Sequence, residues 1–443
     1  MTSRIGFITI GHQDYVNKSA EDKSNEAVGR LKEKGIDVIY ESKIVTDRKN
    51  AIKTARNLIK KDVQAVIVFL GTWMECPVAM AAIREFEHLP FALWGFQMFE
   101  KNGRLESTGS FVSFAMFKGS LTRMNYNFKS LLGSPEENDI INQAVIFCKA
   151  ASTKEKLKRT VIGLVGYTSM GIYPGTFDHV MLRKKIGPEI DHLDTYTLIN
   201  RLEKIPDNET EEIINYLRKT TKINDDVSKN DLLTVSKMYL AMKKLSQERD
   251  FDAINIKCQY ELSKEYGMVA CVPLSILSEN GIVSSCEGDI PNTVSMVILN
   301  YLSGKITGYG DIININDDGT IKLSPCGFIP FSLGVPGQQK IRKFMPGVGF
   351  SGIQNAFVFK PGKVTLLRLV EDCCDYHLVY LIGKGKKTKL RQGYMPALDI
   401  EIDGSIKKMV DNFAGQHYAI CYGDLSKELE QLAILLNIDI IKI

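Results

Sequence analysis

The chain has 443 residues, of which 44% are hydrophobic and 24% are charged. This length exceeds what one hydrophobic core usually serves, so it predicts two or three domains. The 56 basic and 52 acidic residues give a net charge of +4 and are spread along the whole chain, which argues against a nucleic-acid-binding patch. No apolar run reaches the roughly 18 residues that indicate a membrane span.

The cysteines and the N-terminal residues indicate the cellular compartment of the protein. The nine cysteines are an odd number and include no CxxC pair, which argues against a thiolate zinc site. Cys148, Cys258, Cys271 and Cys421 lie in apolar runs, where buried reduced thiols are usual. Residues 1–7 enter a strand pattern at once, so we expect no secretory signal. We predict a cytoplasmic protein with neither a membrane nor a nucleic acid as partner.

The first 155 residues alternate strand-like and helix-like patterns. Residues 63–70 are almost continuously apolar, as in a strand that is buried on both faces of a parallel sheet. Helices between such strands form the crossovers of that sheet, so we predict an α/β domain over residues 1–155. The predicted strands are 5–10, 37–40, 63–70 and 91–96, and the predicted helices are 21–34 and 50–61.

A polar stretch at residues 151–159, with four lysines or arginines, precedes a second alternation and predicts a domain boundary. The second alternation predicts another α/β domain over residues 156–303. Its predicted elements are strands at 160–166, at 251–257 and up to residue 286, a helix at 231–249, and an apolar element at 269–274.

After residue 304 the pattern changes to short strands separated by turn residues. This pattern predicts a β-rich domain over residues 304–443. The predicted fold class is therefore α/β, with two Rossmann-like α/β domains with parallel sheets followed by a smaller, barrel-like C-terminal domain. The third domain's predicted elements include strands at 364–370 and 377–382, a helix at 425–436 and a strand at 438–443.

Carboxylates follow two predicted strands, at the sheet edge where functional groups collect in α/β proteins. Glu261 follows the strand at 251–257, while Glu287 and Asp289 precede a predicted helix near Pro291. Asp289 fits a helix N-cap, and Glu261 fits a solvated surface carboxylate. Together they also fit a pair of acid–base groups or ligands of a hard cation, so both interpretations stay open.

His417 is the most suggestive of the six histidines. It lies where a Gly-bearing turn enters an apolar strand. A lone histidine at such a position is more often a structural hydrogen bonder than a metal ligand. Ligands from distant segments leave no local signature, so spacing does not decide between the two roles.

Two loops after predicted strands contain residues of interest. Residues 71–77 hold Trp73, one of two tryptophans, whose indole fits either loop packing or a wall on which a sugar stacks. The glycines of residues 166–175 allow the backbone to approach a ligand, or only to turn tightly. Neither loop is a GxGxxG dinucleotide fingerprint or a GxxxxGK[ST] phosphate loop, which disfavours a dehydrogenase.

Five ordered motifs resemble those of the L-fucose isomerase and L-arabinose isomerase superfamily, closer to the fucose isomerase branch. The resemblance covers essentially the whole chain, although the chain is shorter than L-fucose isomerases and lacks much of their C-terminal domain. The motifs are GTW at 71–73 with LWGF at 93–96, SMG at 169–171 with Asp178, KCQYEL at 257–262, CEGD at 286–289, and QH at 416–417 followed by CYG at 421–423.

The resemblance implies a divalent cation bound by Glu261, Asp289 and His417, manganese in most members, with Mg²⁺ or Co²⁺ as alternatives. Glu261 and Asp289 would also exchange the proton between C1 and C2 of an open-chain sugar. Glu287 would orient the ligands from outside the coordination shell. The resemblance further implies a homo-oligomer, commonly a hexamer, whose active sites are shared between subunits and in which Trp73 is presented across the interface.

The resemblance also implies sugar contacts from the loops around these motifs. His12 and Gln13 occupy the place of an arginine-bearing loop of the family. His12, Arg123 and Lys184 are candidates for contacting an anionic group at C6 of the sugar, as in sulfoquinovose. The predicted substrate contacts are Trp73, His12, Gln13, Gln259, Arg123, Ser169, Met170 and Lys184.

The predicted function is that of a manganese-dependent aldose–ketose isomerase, an intramolecular oxidoreductase of carbohydrate metabolism. Its predicted substrate is a deoxy or C6-substituted aldose, such as an L-fucose-like sugar or sulfoquinovose, converted to the ketose through an enediolate. The alternative is a non-catalytic sugar-binding protein built on the same fold.

Overall fold

The computed structural model describes residues 3–168, 171–373 and 375–443. They fold into two compact units. The first contains the residues up to Lys156 together with Lys427–Leu435, and the second contains Leu157–Ser426 and Leu436–Ile443. The first unit is therefore discontinuous in sequence. The predicted domain limits at residues 155 and 303 stay predictions.

The elements are numbered in chain order. The strands are β1 (Arg4–Ile10), β2 (Asp37–Val45), β3 (Ala65–Leu70), β4 (Phe91–Gly95), β5 (Phe99–Lys101), β6 (Arg104–Glu106), β7 (Lys129–Leu132), β8 (Val161–Val165), β9 (Glu189–Leu193), β10 (Lys222–Ile223), β11 (Ala253–Ile256), β12 (Val283–Cys286), β13 (Gly308–Ile315), β14 (Ile321–Ser324), β15 (Lys340–Lys343), β16 (Ile353–Asn355), β17 (Gly362–Asp372), β18 (Asp375–Lys386), β19 (Leu398–Ile402), β20 (His417–Tyr422) and β21 (Asp439–Lys442). The α-helices are α1 (Lys18–Glu33), α2 (Arg48–Ile59), α3 (Cys76–Phe86), α4 (Ser110–Arg123), α5 (Asn138–Leu157), α6 (His179–Lys185), α7 (Thr195–Glu203), α8 (Glu211–Thr220), α9 (Lys229–Glu248), α10 (Cys271–Glu279), α11 (Ile290–Ser303), α12 (Ile406–Asp411) and α13 (Ser426–Leu436).

The first unit is built on a five-stranded parallel sheet in the order β2-β1-β3-β4-β7. All six residues of β3 are buried, which explains the continuous apolar run at this position. Helix α1 begins three residues before its predicted start, because the side chain of Asn17 accepts a hydrogen bond from the Ala20 backbone N–H and caps the helix there.

The second unit contains a four-stranded parallel sheet in the order β12-β11-β8-β9. Its central pair, β8 and β11, joins strands that are distant in sequence. The apolar element at 269–274 belongs to the start of helix α10, whose residues Cys271–Ser278 are all buried. The polar stretch at 151–159 continues helix α5 as far as Leu157.

Six antiparallel strands of the second unit close into a barrel in the order β17-β20-β13-β14-β19-β18, with β18 pairing back to β17. Strand β21 adds to β18 in parallel. The predicted mixed α/β fold with parallel sheets and a β-barrel is thus confirmed. Among the residues described, no helix is long and apolar enough to cross a membrane.

Candidate active site

Asp289 lies at the junction between strand β12 and helix α11. Its Oδ1 accepts a hydrogen bond from the Asn292 backbone N–H at 2.9 Å, so the carboxylate caps the helix. Its Oδ2 is hydrogen-bonded to His417 Nδ1 at 2.8 Å and accepts from Arg368 Nη1 at 2.7 Å. The N-cap role predicted for Asp289 is therefore confirmed, and its role as an acid–base group or cation ligand stays a prediction.

His417 is the first residue of β20, and it faces Asp311 directly across the antiparallel pair with β13. The side chain is fully buried. Because a carboxylate only accepts hydrogen bonds, the bond to Asp289 assigns a proton to Nδ1. The other nitrogen, Nε2, lies 3.3 Å from Glu287 Oε2 and 3.3 Å from Asp311 Oδ1, and neither contact has hydrogen-bond geometry.

Arg368 is the buried cation of this cluster and lies on barrel strand β17, with only 1% of its side chain exposed. Besides Asp289 it donates to the backbone carbonyls of His417, at 3.2 Å, and of Pro174. Pro174 belongs to a 3₁₀ turn, Tyr173–Gly175, so the guanidinium ties this turn to the barrel. A buried arginine is rare unless it is paired, and this one is paired.

The pKa values of the cluster reflect both burial and partners. Burial would raise the pKa of Asp289, but Arg368 and His417 outweigh it and lower the pKa to about 2. Burial would likewise raise the pKa of Glu287, yet His417, Cys326 and Gln259 hold it below its ordinary value. Burial would lower the pKa of His417, but the surrounding carboxylates raise it well above the ordinary value.

Glu287 lies beside Asp289 in a strained segment. Its φ is 72°, in the left-handed region that non-glycine residues rarely adopt, and Gly288 follows with φ 69°. Cys326 Sγ donates to Glu287 Oε1 at 2.9 Å, and the side chain of Gln259 is a further hydrogen-bond partner of this carboxylate. This backbone turns both Glu287 and Asp289 towards His417.

Glu261 stands apart from this cluster. Its side chain is 54% exposed and pairs with Lys257 Nζ at 2.8 Å. It begins a π-helical turn, Glu261–Glu265, directly after Tyr260, whose φ is 66°. π-helical turns occur often at functional sites. The described contacts therefore unite Asp289 and His417 of the predicted triad, while the Glu261 carboxylate is held by Lys257.

The loop after β8 approaches the same junction. A Cβ on Gly288 would lie 2.5 Å from the Tyr167 carbonyl oxygen, and a Cβ on Gly175 would lie 3.2 Å from Asp289 Cα. Glycine is therefore required at 288 both by its φ and by space. The predicted contacts Ser169 and Met170 belong to this loop and lie outside the described residues. Lys184 is exposed near the end of helix α6.

The remaining predicted sugar contacts lie in the first unit. The rings of His12 and Trp73 are 5.3 Å apart, and Tyr15 lies 5.4 Å from the first and 5.8 Å from the second. Gln13 is exposed beside them, and Arg123 is exposed at the end of helix α4. His12, Tyr15 and Trp73 thus form an aromatic cluster, of which Tyr15 was not predicted.

Curated relatives match nearly the full length of the chain. The sulfoquinovose isomerase of Priestia aryabhattai is 23% identical over 444 residues, which covers 98% of this chain and 97% of the relative. The sulfoquinovose isomerase of Alkalicoccus urumqiensis is 24% identical over 393 residues, or 86% of each chain. The chain is similar to sulfoquinovose isomerases. The resemblance to sugar isomerases predicted from the sequence is thereby confirmed.

Two other comparisons add little. No family model matches the chain. A periplasmic solute-binding protein of Actinobacillus succinogenes with bound D-allose matches 69% of this chain and 93% of its own at 11% identity. The TM-score of 0.17 is too low for this match to carry an argument.

The side chains around His417 have the chemistry of a cation site. Glu287, Asp289 and Asp311 carry three negative charges and Arg368 carries one positive charge. With the neutral imidazole that metal binding requires, the cluster therefore has an excess of two negative charges. Carboxylates and imidazole are ligands that suit Mn²⁺. In the described part of the chain no three His, Cys, Asp or Glu side chains already enclose a metal position. The donor types and the charge fit a divalent cation.

Arg368 and Asp311 were missed by the sequence analysis. Arg368 is the only charged residue between Val364 and Val370, a run of otherwise apolar residues and one threonine, and a charged residue within such a run is a signal of a buried ion pair. Asp311 gives no comparable signal, because it lies between Gly310 and Ile312 in a strand whose later residues are exposed.

Proposed function

We propose that this chain is an aldose–ketose isomerase that interconverts sulfoquinovose and its 2-ketose. The observation that carries the proposal is the buried imidazole of His417. It lies between two carboxylates that follow strand β12 of the parallel sheet, in a chain similar to sulfoquinovose isomerases over nearly its whole length. Carboxylates and imidazole are the ligand types that suit a divalent cation in such an isomerase.

The proposed reaction moves a proton between C1 and C2 of the open-chain sugar. Glu261 is the proposed proton-transfer group, because its carboxylate is exposed and pairs with the flexible side chain of Lys257. Both oxygens of Asp289 are engaged, one by helix α11 and the other by His417 and Arg368. These contacts favour a holding role for Asp289, and its predicted share in proton transfer stays a proposal.

Glu261, Asp289 and His417 are the proposed ligands of a divalent cation, with Mn²⁺ as the proposed metal. A bound cation would supply the positive charge that stabilises negative charge on the sugar oxygens during proton transfer. Glu261 would have to leave Lys257 to join the other two residues. That exchange would free the Lys257 ammonium beside the substrate.

The sulfonate of sulfoquinovose requires a cationic partner. His12, Arg123 and Lys184 remain the proposed candidates, and all three side chains are at least partly exposed. We further propose that both parallel-sheet regions are Rossmann-like domains. The homo-oligomeric assembly, a hexamer with shared active sites, and the cytoplasmic location also stay proposals.

The decisive test incubates the purified chain with sulfoquinovose, after EDTA treatment and again with Mn²⁺ restored, and follows ketose formation by NMR. We expect ketose from sulfoquinovose in the presence of Mn²⁺ only. D-Glucose is the matched control sugar, because it carries a hydroxyl where sulfoquinovose carries the sulfonate, and we expect far slower turnover. L-Fucose, D-arabinose and L-arabinose test the other predicted sugars.

Binding without turnover would contradict the proposal. If calorimetry shows that the Mn²⁺-loaded chain binds sulfoquinovose while NMR detects no ketose, the chain is a sugar-binding protein. Turnover of L-fucose but not of sulfoquinovose would keep the reaction class and correct the substrate.

A further inference from the structure

The free nitrogen of His417 defines the position at which this residue could meet a cation. Nδ1 is engaged by Asp289, so only Nε2 can meet a ligand. Nε2 is fully buried and makes no hydrogen bond within the described residues. An imidazole nitrogen buried without a partner is costly unless something binds it.

Two carboxylates flank this nitrogen from different elements. Glu287 approaches from the turn after β12, and Asp311 approaches from barrel strand β13, each with an oxygen 3.3 Å from Nε2. Their side chains are 7% and 24% exposed respectively, so Asp311 lies on the more open side of the nitrogen. A cation bound here would meet one nitrogen and two oxygens.

Asp289 contacts the other nitrogen of the His417 ring, Nδ1. Its bond to Nδ1 fixes both the orientation and the protonation of the imidazole, which is how a carboxylate supports a metal-binding histidine from outside the coordination shell. Arg368 and the Asn292 N–H hold that carboxylate in place. Asp289 is therefore less free than Glu287 or Asp311 to approach a cation.

We propose that Asp311 is a cation-binding residue of this site and acts with Glu287 at His417 Nε2, while Asp289 orients the imidazole through Nδ1. This inference rests on the proposed metal-dependent function, and it changes which carboxylates meet the metal. Asp311 and His417 both lie on barrel strands, so in this proposal the barrel supplies two of the three groups that meet the cation.

The test measures Mn²⁺ affinity of the full-length chain by electron paramagnetic resonance of free Mn²⁺, without substrate. We expect Asp311→Asn to weaken binding about 10- to 100-fold or more, and Asp311→Glu to restore most of it. Asp317→Asn is the matched control, because Asp317 is exposed in the turn that follows the same strand. Its affinity should equal that of the wild type.

Thermal melting in EDTA separates a lost ligand from a damaged fold, and Asp311→Asn should melt like the wild type there. Wild-type affinity in Asp311→Asn would overturn the inference while leaving the isomerase proposal intact. A wild-type chain that binds Mn²⁺ but converts no sugar would overturn the isomerase proposal alone. A wild-type chain that binds no Mn²⁺ would overturn both.

Discussion

At the scale of single residues, the charge of Arg368 balances that of Asp289 in a place that water does not reach. Both side chains are 1% exposed. Removing one partner of such a pair leaves the other charge buried and uncompensated, which is more damaging than losing a pair at the surface.

We therefore expect Arg368→Met to lower the free energy of unfolding by about 3 kcal/mol, measured by urea denaturation. Arg201→Met is the matched control. Arg201 pairs with Glu248 at 2.7 Å in the same unit, with side chains 34% and 52% exposed, and its loss should change the free energy by less than about 1 kcal/mol. Equal effects of the two substitutions would show that Arg368 does not compensate Asp289.

The pKa of Asp289 predicts an acid-dependent stability. The pKa of Asp289 is lowered from 3.8 to about 2 in the folded chain. Ionised Asp289 therefore stabilises the folded state at pH values above 3.8, and this stabilisation is lost as the pH falls towards about 2. In EDTA, the wild-type chain should lose about 2 kcal/mol between about pH 4 and pH 2 on this account. Asp289→Asn should show a correspondingly shallower decline in chemical denaturation. Parallel pH profiles would contradict the prediction.

At the scale of elements, the site depends on one glycine between two carboxylates. Gly288→Ala would place a Cβ 2.5 Å from the Tyr167 carbonyl oxygen, at a φ of 69°. Gly281→Ala is matched in backbone conformation, with φ 88°, but its Cβ would meet no atom within 4 Å. Comparing the two variants separates the cost of backbone strain from the cost of the close contact with the loop after β8.

We expect Gly281→Ala to lower the free energy of unfolding by about 1–2 kcal/mol, because a residue with a side chain is strained in the left-handed conformation. Gly288→Ala should cost a further 1–3 kcal/mol from overpacking and reduce turnover, because relief of the clash moves Glu287 and Asp289. Denaturation and NMR turnover assays measure the two effects. The prediction fails if both variants lose the same stability and keep the same activity.

Much of the fold could be predicted because runs of apolar residues indicate elements that are buried in the core. Strand β3 and the barrel strands β17 and β18 were found from such runs. Helix α10 was not recognised as a helix, because its residues Cys271–Ser278 are all buried. The apolar run at 269–274 that enters it lacks the periodicity that separates helix from strand. Element ends were shifted by caps such as Asn17, which act through one hydrogen bond.

The candidate site was predictable only in part. Asp289 and His417 were both predicted as site residues, and the structure brings them together. Glu261 pairs with Lys257, which is close to it in the chain. Nothing in the sequence indicates whether the Glu261 carboxylate contacts Lys257 or His417. Asp311 meets His417 through the barrel register, which pairs residues 106 positions apart. Such a pairing has no local signature.

At the scale of the whole molecule, the first unit depends on a helix from near the other end of the chain. Leu432 of α13 is fully buried, whereas Ile434 on the same helix is 59% exposed. Leu432→Ala should lower the stability of the first unit by about 2–5 kcal/mol, and Ile434→Ala should have little effect. Hydrogen exchange resolved along the chain should show the loss of protection at residues 3–156. Unchanged protection there would contradict the prediction.

Because the first unit consists of two separate stretches of the chain, its folding cannot be completed until late in synthesis. Residues 157–426 must be translated before Lys427–Leu435 can join the first unit. At about 5–20 residues per second, the ribosome needs roughly a quarter of a minute to a minute for that stretch. During this interval the surface that awaits α13 is open to chaperones and to other nascent chains, so the first unit is the earliest to start folding and among the last parts to be completed.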